Sequence, residues 1–422
     1  MSTHGLRQRA DYTHKFNLKT GRHGWLRLTP AYSLKIVEEL IGGLDRHMRV
    51  FDPFCGTATT ALSAAYHAHD SATTDINPFL VWLGKAKTAH YSADTIASAR
   101  RAGSRALTAV GRDALEPAAA PPIHNIERWW RPAALRFLCA LRAAIDVASG
   151  PGTQERDLLS VAFCRTVIAL SNAAFNHQSM SFKDDSQATL PLDEDLPGVF
   201  REDLNFVLRG AAENPTGRSE VVLGDSRAPH TAVDGPFDRV ITSPPYANRM
   251  SYIRELRPYM YWLGFLVNGR DAGELDWTAI GGTWGLATSR LVDWERTTDR
   301  AEDAHLDSVV ERIADGENKN GRILANYVTK YFDDMWSHFQ GLPAILAPDA
   351  EVHYIVGNST FYGTLLSAER IYAGMLTRVG FEAVECRPIR KRNSKKELIE
   401  FDVTARWRGA PRAKPRAPAP RV

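Results

Sequence analysis

The sequence predicts an α/β protein, because short β-rich runs alternate with helical patterns and because an acidic residue closes three of those runs. The first strand is expected at residues 48–52 (MRVFD), behind a helix over 33–42. An Ala-rich helix over 59–68 and a strand at 72–76 (ATTDI) follow. Further strands are expected at 220–223, 237–242, 351–356, 381–386 and 398–405. From 78 to 215 the pattern is amphipathic and helical, as at 133–148 and 156–174, with Pro/Gly breaks at 118–122 and 150–152. The chain therefore divides into a first half of the α/β core (1–90), a helical insertion (91–215) and a second half (216–407). The second half carries a polar, irregular excursion at 266–321, and the Pro/Ala/Arg-rich tail at 408–422 should be disordered.

Composition removes several classes of function. No apolar run approaches the ~20 residues of a bilayer span, and no signal peptide opens the chain. Cys55, Cys139, Cys164 and Cys386 are widely spaced without a CxxC pair, and the histidines show no ligand spacing. Neither a zinc site nor a disulfide framework is expected, and a reducing cytoplasm fits. With a formal net charge of +3, any nucleic-acid contact must be a local basic surface.

The run VFDPFCGTATT places a strand end, Asp52, a glycine loop and a helix start in succession, which is where a doubly wound sheet holds a nucleotide-like ligand. Gly56 lets backbone approach that ligand, and the new helix offers free N–H groups. The loop is neither GxGxxG nor a P-loop. Asp75, in TTDINPF, can accept hydrogen bonds from the two ribose hydroxyls of an adenosine. Asp225, after the next strand, can take an adenine amino group. A single such Asp is commonly a turn or cap residue; three at successive strand ends form a pattern.

The second signal is Ser243-Pro244-Pro245-Tyr246 after the strand FDRVIT. Adjacent prolines end strand pairing and remove two backbone donors while leaving carbonyl acceptors. That suits a conjugated exocyclic amine: hydrogen bonds from its N–H groups to Ser243 Oγ and the Pro244 carbonyl would localise its lone pair. Tyr246 can stack on an extruded base. No Pro-Cys pair is present, so a covalent route through a cysteine is not expected.

These residues resemble the DNA amino-methyltransferase family. DPFCGT (Asp52, Pro53, Phe54, Cys55, Gly56, Thr57) is similar to its S-adenosylmethionine loop, Asp75 with Ile76 and Asn77 to its ribose-binding acid, and Asp225 with Ser226 to its adenine side. LTPAYSLKIVEELI, with Thr29, Pro30 and Tyr32, resembles the segment that closes over the methionine end, and TSPPY resembles the catalytic region. Many members carry a second glycine where this chain has Ala58. The resemblance implies a Rossmann-like, seven-stranded S-adenosylmethionine-dependent methyltransferase fold with an antiparallel final hairpin and, here, a helical insertion. It implies DNA as substrate, base flipping, a prokaryotic cytoplasm and, in a restriction-modification system, a cognate restriction endonuclease. In the family SPPY accompanies mainly cytosine N4, so cytosine-N4 methylation is the expected activity. Adenine N6 methylation, RNA base methylation and a non-catalytic nucleic-acid-binding subunit are the alternatives.

Weaker expectations concern DNA contacts. Arg249 and Tyr252 lie nearest SPPY in a basic, aromatic stretch (247–265) whose Tyr261 and Trp262 read as core. Asn176 and His177, in SNAAFNHQSMSFK, can read base edges, and Arg128-Trp129-Trp130-Arg131 is equally distinctive. Lys391 and Arg392 belong to a basic run (387–396) expected as a hairpin loop, either a solvated charge cluster or an edge that meets phosphate.

Overall fold

The computed structural model describes residues 6–12, 14–18, 20–27, 33–44, 46–174, 181–182, 195–283, 286–296, 303–316, 320–392 and 398–409. Seven strands form one sheet: β1 (Arg49–Asp52), β2 (Asp70–Asp75), β3 (Ser219–Leu223), β4 (Phe237–Thr242), β5 (Leu346–Gly357), β6 (Glu382–Lys391) and β7 (Ile399–Trp407). Their spatial order is β6-β7-β5-β4-β1-β2-β3. β3, β2, β1, β4 and β5 pair in parallel, while β7 runs antiparallel to both β5 and β6. This is the mixed, helix-flanked sheet of a Rossmann-like methyltransferase fold.

Helices α1 (Leu34–Ile41), α2 (Thr59–Tyr66) and α3 (Pro78–Thr88) belong to the first half. Ser33 caps α1 by accepting from Lys35 N, and Asn77 caps α3 by accepting from Phe79 N, with Pro78 at the first helical position. Between β2 and β3 stand α4 (Ala93–Gly111), α5 (Pro132–Ala148), α6 (Gln154–Ala169) and α7 (Leu196–Ala211). Their apolar faces share one core with α3 and with α8 (Tyr252–Trp262). Trp129 and Trp130 lie inside it, Trp130 Nε1 donating to Val167 O at 2.8 Å, so these tryptophans are packing residues. Tyr261 and Trp262 are buried, as expected.

Four differences from the sequence reading have local causes. α6 stops at Ala169, because the Ser171 hydroxyl accepts from Ala173 N and turns the chain into a two-residue ribbon, Ala173–Ala174 with Ser181–Phe182. The polar stretch 266–321 contains helices, among them α9 (Gly269–Thr278) and α10 (Ala304–Ala314), capped by Asn268 and Asp303. Residues 387–391 are strand rather than loop, since β7 sets Asp402 opposite Arg387 and Glu400 opposite Arg390 and so offsets the basic run. Arg408, assigned to the tail, is ordered between Asp349 (2.7 Å) and Glu382 (3.4 Å); residues from 410 onward lie outside the described ones.

The far face of the sheet packs on α11 (Gly321–Gly341) and α12 (Ala368–Val379). Because β1 to β4 are parallel, Asp52, Asp75, Leu223 and Thr242 end along one edge, where an open α/β sheet presents its ligand crevice.

Candidate active site

The loop leaving β1 is built around two carboxylates. Asp52 Oδ1 accepts from Phe54 N at 3.0 Å, and Asp75 Oδ2 accepts from Gly56 N at 3.0 Å, while Asp75 Oδ1 takes Asn77 N at 2.9 Å. Gly56 has φ 49°, the left-handed region in which a Cβ is unfavourable. Ala58 also adopts the left-handed region, with φ 57°, at a cost of about 1–2 kcal/mol. On the other side of the loop, fully buried Lys87 donates from Nζ to Thr57 O (3.0 Å) and His23 O (3.2 Å).

A cavity of about 1020 Å³, counted to its open mouth, lies at this edge. Pro53, Phe54, Cys55, Gly56 and Thr57 form one wall, with Asp75, Ile76 and Asn77 beside them. Asp225 and Ser226 follow from the end of β3, and Ser243 and Pro245 from the end of β4. The expected donor loop and the SPPY segment thus face a single space. Asp75 is pushed up to about 6 by burial, against the pull of the Asn77 and Gly56 N–H groups. Among the described residues, neither Asp52 nor Asp75 has an ion-pair partner.

Three expected residues sit differently. Asp52 does not line the cavity: its side chain turns under the loop, where Thr242 Oγ1 donates to Oδ1 at 2.6 Å and Oδ2 is buried without a hydrogen-bond partner. Burial pushes its carboxyl up to about 7. Asp225 is engaged by Arg227, whose Nη2 lies 2.6 Å from Oδ2, and the same guanidinium reaches Asp334 and Thr278 O. Pro244 is buried below the cavity surface.

Tyr246 does not line the cavity either and is held from several sides. Its hydroxyl donates to Glu400 Oε1 (2.8 Å), a residue also bound by Arg390, and its N–H donates to the Tyr252 hydroxyl (3.3 Å). Arg392 lies over the ring, 4.8 Å from its centroid, and donates to Asn358 O. Sequence reasoning put Arg392 on a remote hairpin; the end of β6 brings it to SPPY. Lys391 pairs with Ile399 across that hairpin. Next in the segment, Pro245 O accepts from Tyr331 Oη at 2.7 Å, and Tyr331 and Tyr372 hydroxyls lie 2.6 Å apart.

Tyr252 lines the cavity, whereas Arg249 is exposed with φ 62° and its N–H donates to the Tyr327 hydroxyl. Thr29, Pro30, Tyr32, Asn176 and His177 lie outside the described residues. Sequence reading missed Ile253 and Leu256 of α8, and Asp276 with 278–282 beyond α9, all of which line the cavity. Asp276 accepts from Ser251 Oγ at 2.6 Å, and a Cβ on Gly282 would lie 1.7 Å from Asp276 O, which requires glycine there. The pair GG at 281–282 was the available signal.

Among the described residues no cluster of His, Cys, Asp and Glu suits a metal ion, and no helix is long and apolar enough to cross a membrane. No protein-family model matches the chain. Type II methyltransferase M.MvaI of Kocuria varians is 22% identical over 336 residues, covering 74% of this chain and 70% of that protein. Type II methyltransferase M.BsoBI of Geobacillus stearothermophilus is 21% identical over 442 aligned positions, covering 92% of this chain and 84% of that protein. The chain is similar, along most of its length, to Type II methyltransferases.

Proposed function

We propose that the chain is an S-adenosylmethionine-dependent DNA methyltransferase acting on the exocyclic N4 amino group of cytosine. The observation that carries this reading is that Ser243 and Pro245 share a cavity with Gly56 and Asp75. The residues suit the cofactor: a loop stripped of a Cβ at Gly56, a half-buried carboxylate at Asp75 and a cavity of about 1020 Å³ counted to its mouth.

S-adenosylmethionine supplies an electrophilic methyl group when bound. Asp75, desolvated and facing the cavity, accepts from ribose hydroxyls, and Asp225 and Ser226 border the adenine end. Ser243 Oγ, which lines the cavity, accepts from an amino N–H bond and so withdraws the nitrogen lone pair from the ring. Ser243 Oγ would also accept a hydrogen bond from the amine proton that is lost to solvent as the methyl group passes from sulfur to nitrogen. Tyr246, fixed by Glu400 outside the cavity lining, is assigned to stack on the flipped base, and the apolar wall from Ile253 and Leu256 excludes water. Alignment of donor and amine supplies most of the acceleration.

Helices between 91 and 215 are assigned to DNA recognition, Arg249, Lys391 and Arg392 to the backbone near the flipped nucleotide, and a cognate restriction endonuclease to the same system in a prokaryotic cytoplasm. The test is mass spectrometry of nucleosides from DNA of cells expressing the protein. N4-methylcytosine, absent with Ser243→Ala, is expected. N6-methyladenine as sole product would replace the cytosine assignment, and methylation confined to RNA would replace the DNA assignment.

A further inference from the structure

We propose that Asp52 senses the charge of the methyl donor: it is partly protonated in the free protein, loses that proton when a sulfonium enters the cavity, and thereby tightens the link between donor loop and Ser243. This rests on the function proposed above. Asp52 is a positioning residue here, acting through Thr242.

The geometry places Asp52 where both halves of the site meet. Its carboxylate is 1% exposed, and Oδ1 accepts at once from the donor loop (Phe54 N) and from Thr242, the residue preceding Ser243. Oδ2 is buried without a partner, leaving room for a proton on that atom. The groups around it provide no direct counter-charge. Asp75 faces it across the loop as a like charge, with the Thr60 hydroxyl from α2 and the Cys55 thiol alongside. Tyr354 approaches from β5, its hydroxyl 2.6 Å from His338 Nε2, and burial holds that imidazole neutral at about 4. Lys87, the buried cation of this region, is directed to the Thr57 and His23 carbonyls.

A desolvated carboxylate beside a like charge takes up a proton, and a cation brought nearby reverses this. With its carboxyl pushed up to about 7 by burial, Asp52 is partly protonated near neutral pH in the free protein. When it ionises, the O–H bond of the acid breaks, the proton goes to solvent, and the 2.6 Å contact from Thr242 becomes a charge-assisted hydrogen bond. The sulfide product lacks the positive charge, so Asp52 regains its proton and the link to Ser243 slackens as turnover ends.

Titration calorimetry of the full chain in two buffers of different ionisation enthalpy counts the protons. At pH 7, binding of S-adenosylmethionine should release a measurable fraction of a proton more than binding of S-adenosylhomocysteine. Asp52→Asn should abolish that difference. Thr242→Val, which keeps the acid but removes a donor that favours its charged form, should enlarge it, and this variant serves if Asp52→Asn does not fold. Equal proton counts for the two ligands, or a difference that survives in Asp52→Asn, overturns the inference while leaving the proposed function standing. Failure of both ligands to bind the unaltered protein overturns that function and this inference with it.

Discussion

Replacing Lys87 with methionine should change how stability depends on pH, in a direction fixed by its surroundings. Its ammonium is fully buried, with two carbonyl partners and no carboxylate among the described residues. Burial lowers it from the ordinary 10.5 to about 7, despite some support from Cys55. Between these values the unfolded chain binds more protons than the folded one, so the Lys87 contribution to stability rises with pH and is complete above 10.5. Working the two values through the linkage relation gives a gain of about 2 kcal/mol between pH 7 and pH 9. For 422 residues that corresponds to about 2–3 °C in Tm. Other groups titrate in this window, notably buried thiols, so the measured quantity is the difference between the two proteins. Thermal unfolding at pH 7 and pH 9 should show the unaltered protein gaining on Lys87→Met by that amount. A difference in Tm that stays flat across the window would refute the claim that Lys87 folds as an unpaired, desolvated amine.

Two further predictions concern the cavity. Asp75→Asn removes the ionised acceptor assigned to the ribose while keeping a polar side chain of the same shape, and should weaken S-adenosylmethionine by roughly 10- to 100-fold; calorimetry showing unchanged affinity would move the ribose elsewhere. Tyr331→Phe leaves Pro245 O and the Tyr372 hydroxyl without their partner. It should reduce stability by about 1–2 kcal/mol and kcat by roughly tenfold, with cofactor Kd unaltered. A fall in cofactor affinity instead would place Tyr331 in the donor half of the site.

Much of this architecture was legible before coordinates. Several of the parallel strands hold short β-rich runs bounded by turn residues, and β4 was delimited to the residue because Pro244 ends it. Gly56, Asp75 and Ser243 share a cavity because parallel strands put their C-terminal ends together, a consequence of fold class rather than of local sequence. What stayed hidden depended on side-chain direction or on distant pairing. Asp52 looked like a ligand residue, yet its rotamer points to Thr242. Arg392 looked like part of a solvated loop, because the opposing acids Glu400 and Asp402 that straighten the hairpin lie on a different strand. The wall at 278–282 follows a polar helix with no marked periodicity, and only the GG pair hinted at close backbone approach.

The helix α8 has one further consequence. Ile253 and Leu256 wall the reaction space, and the same helix is embedded through Tyr259 and Met260 in the interior shared by α4 to α7. It therefore belongs to two bodies at once. A tilt of the helical block cannot be absorbed by a hinge before it reaches the chemistry, because no solvent layer or linker separates the two. Grafting a different block onto this sheet would mean recutting the buried side of α8 as well, so the helical block and the cavity wall are bound to change together.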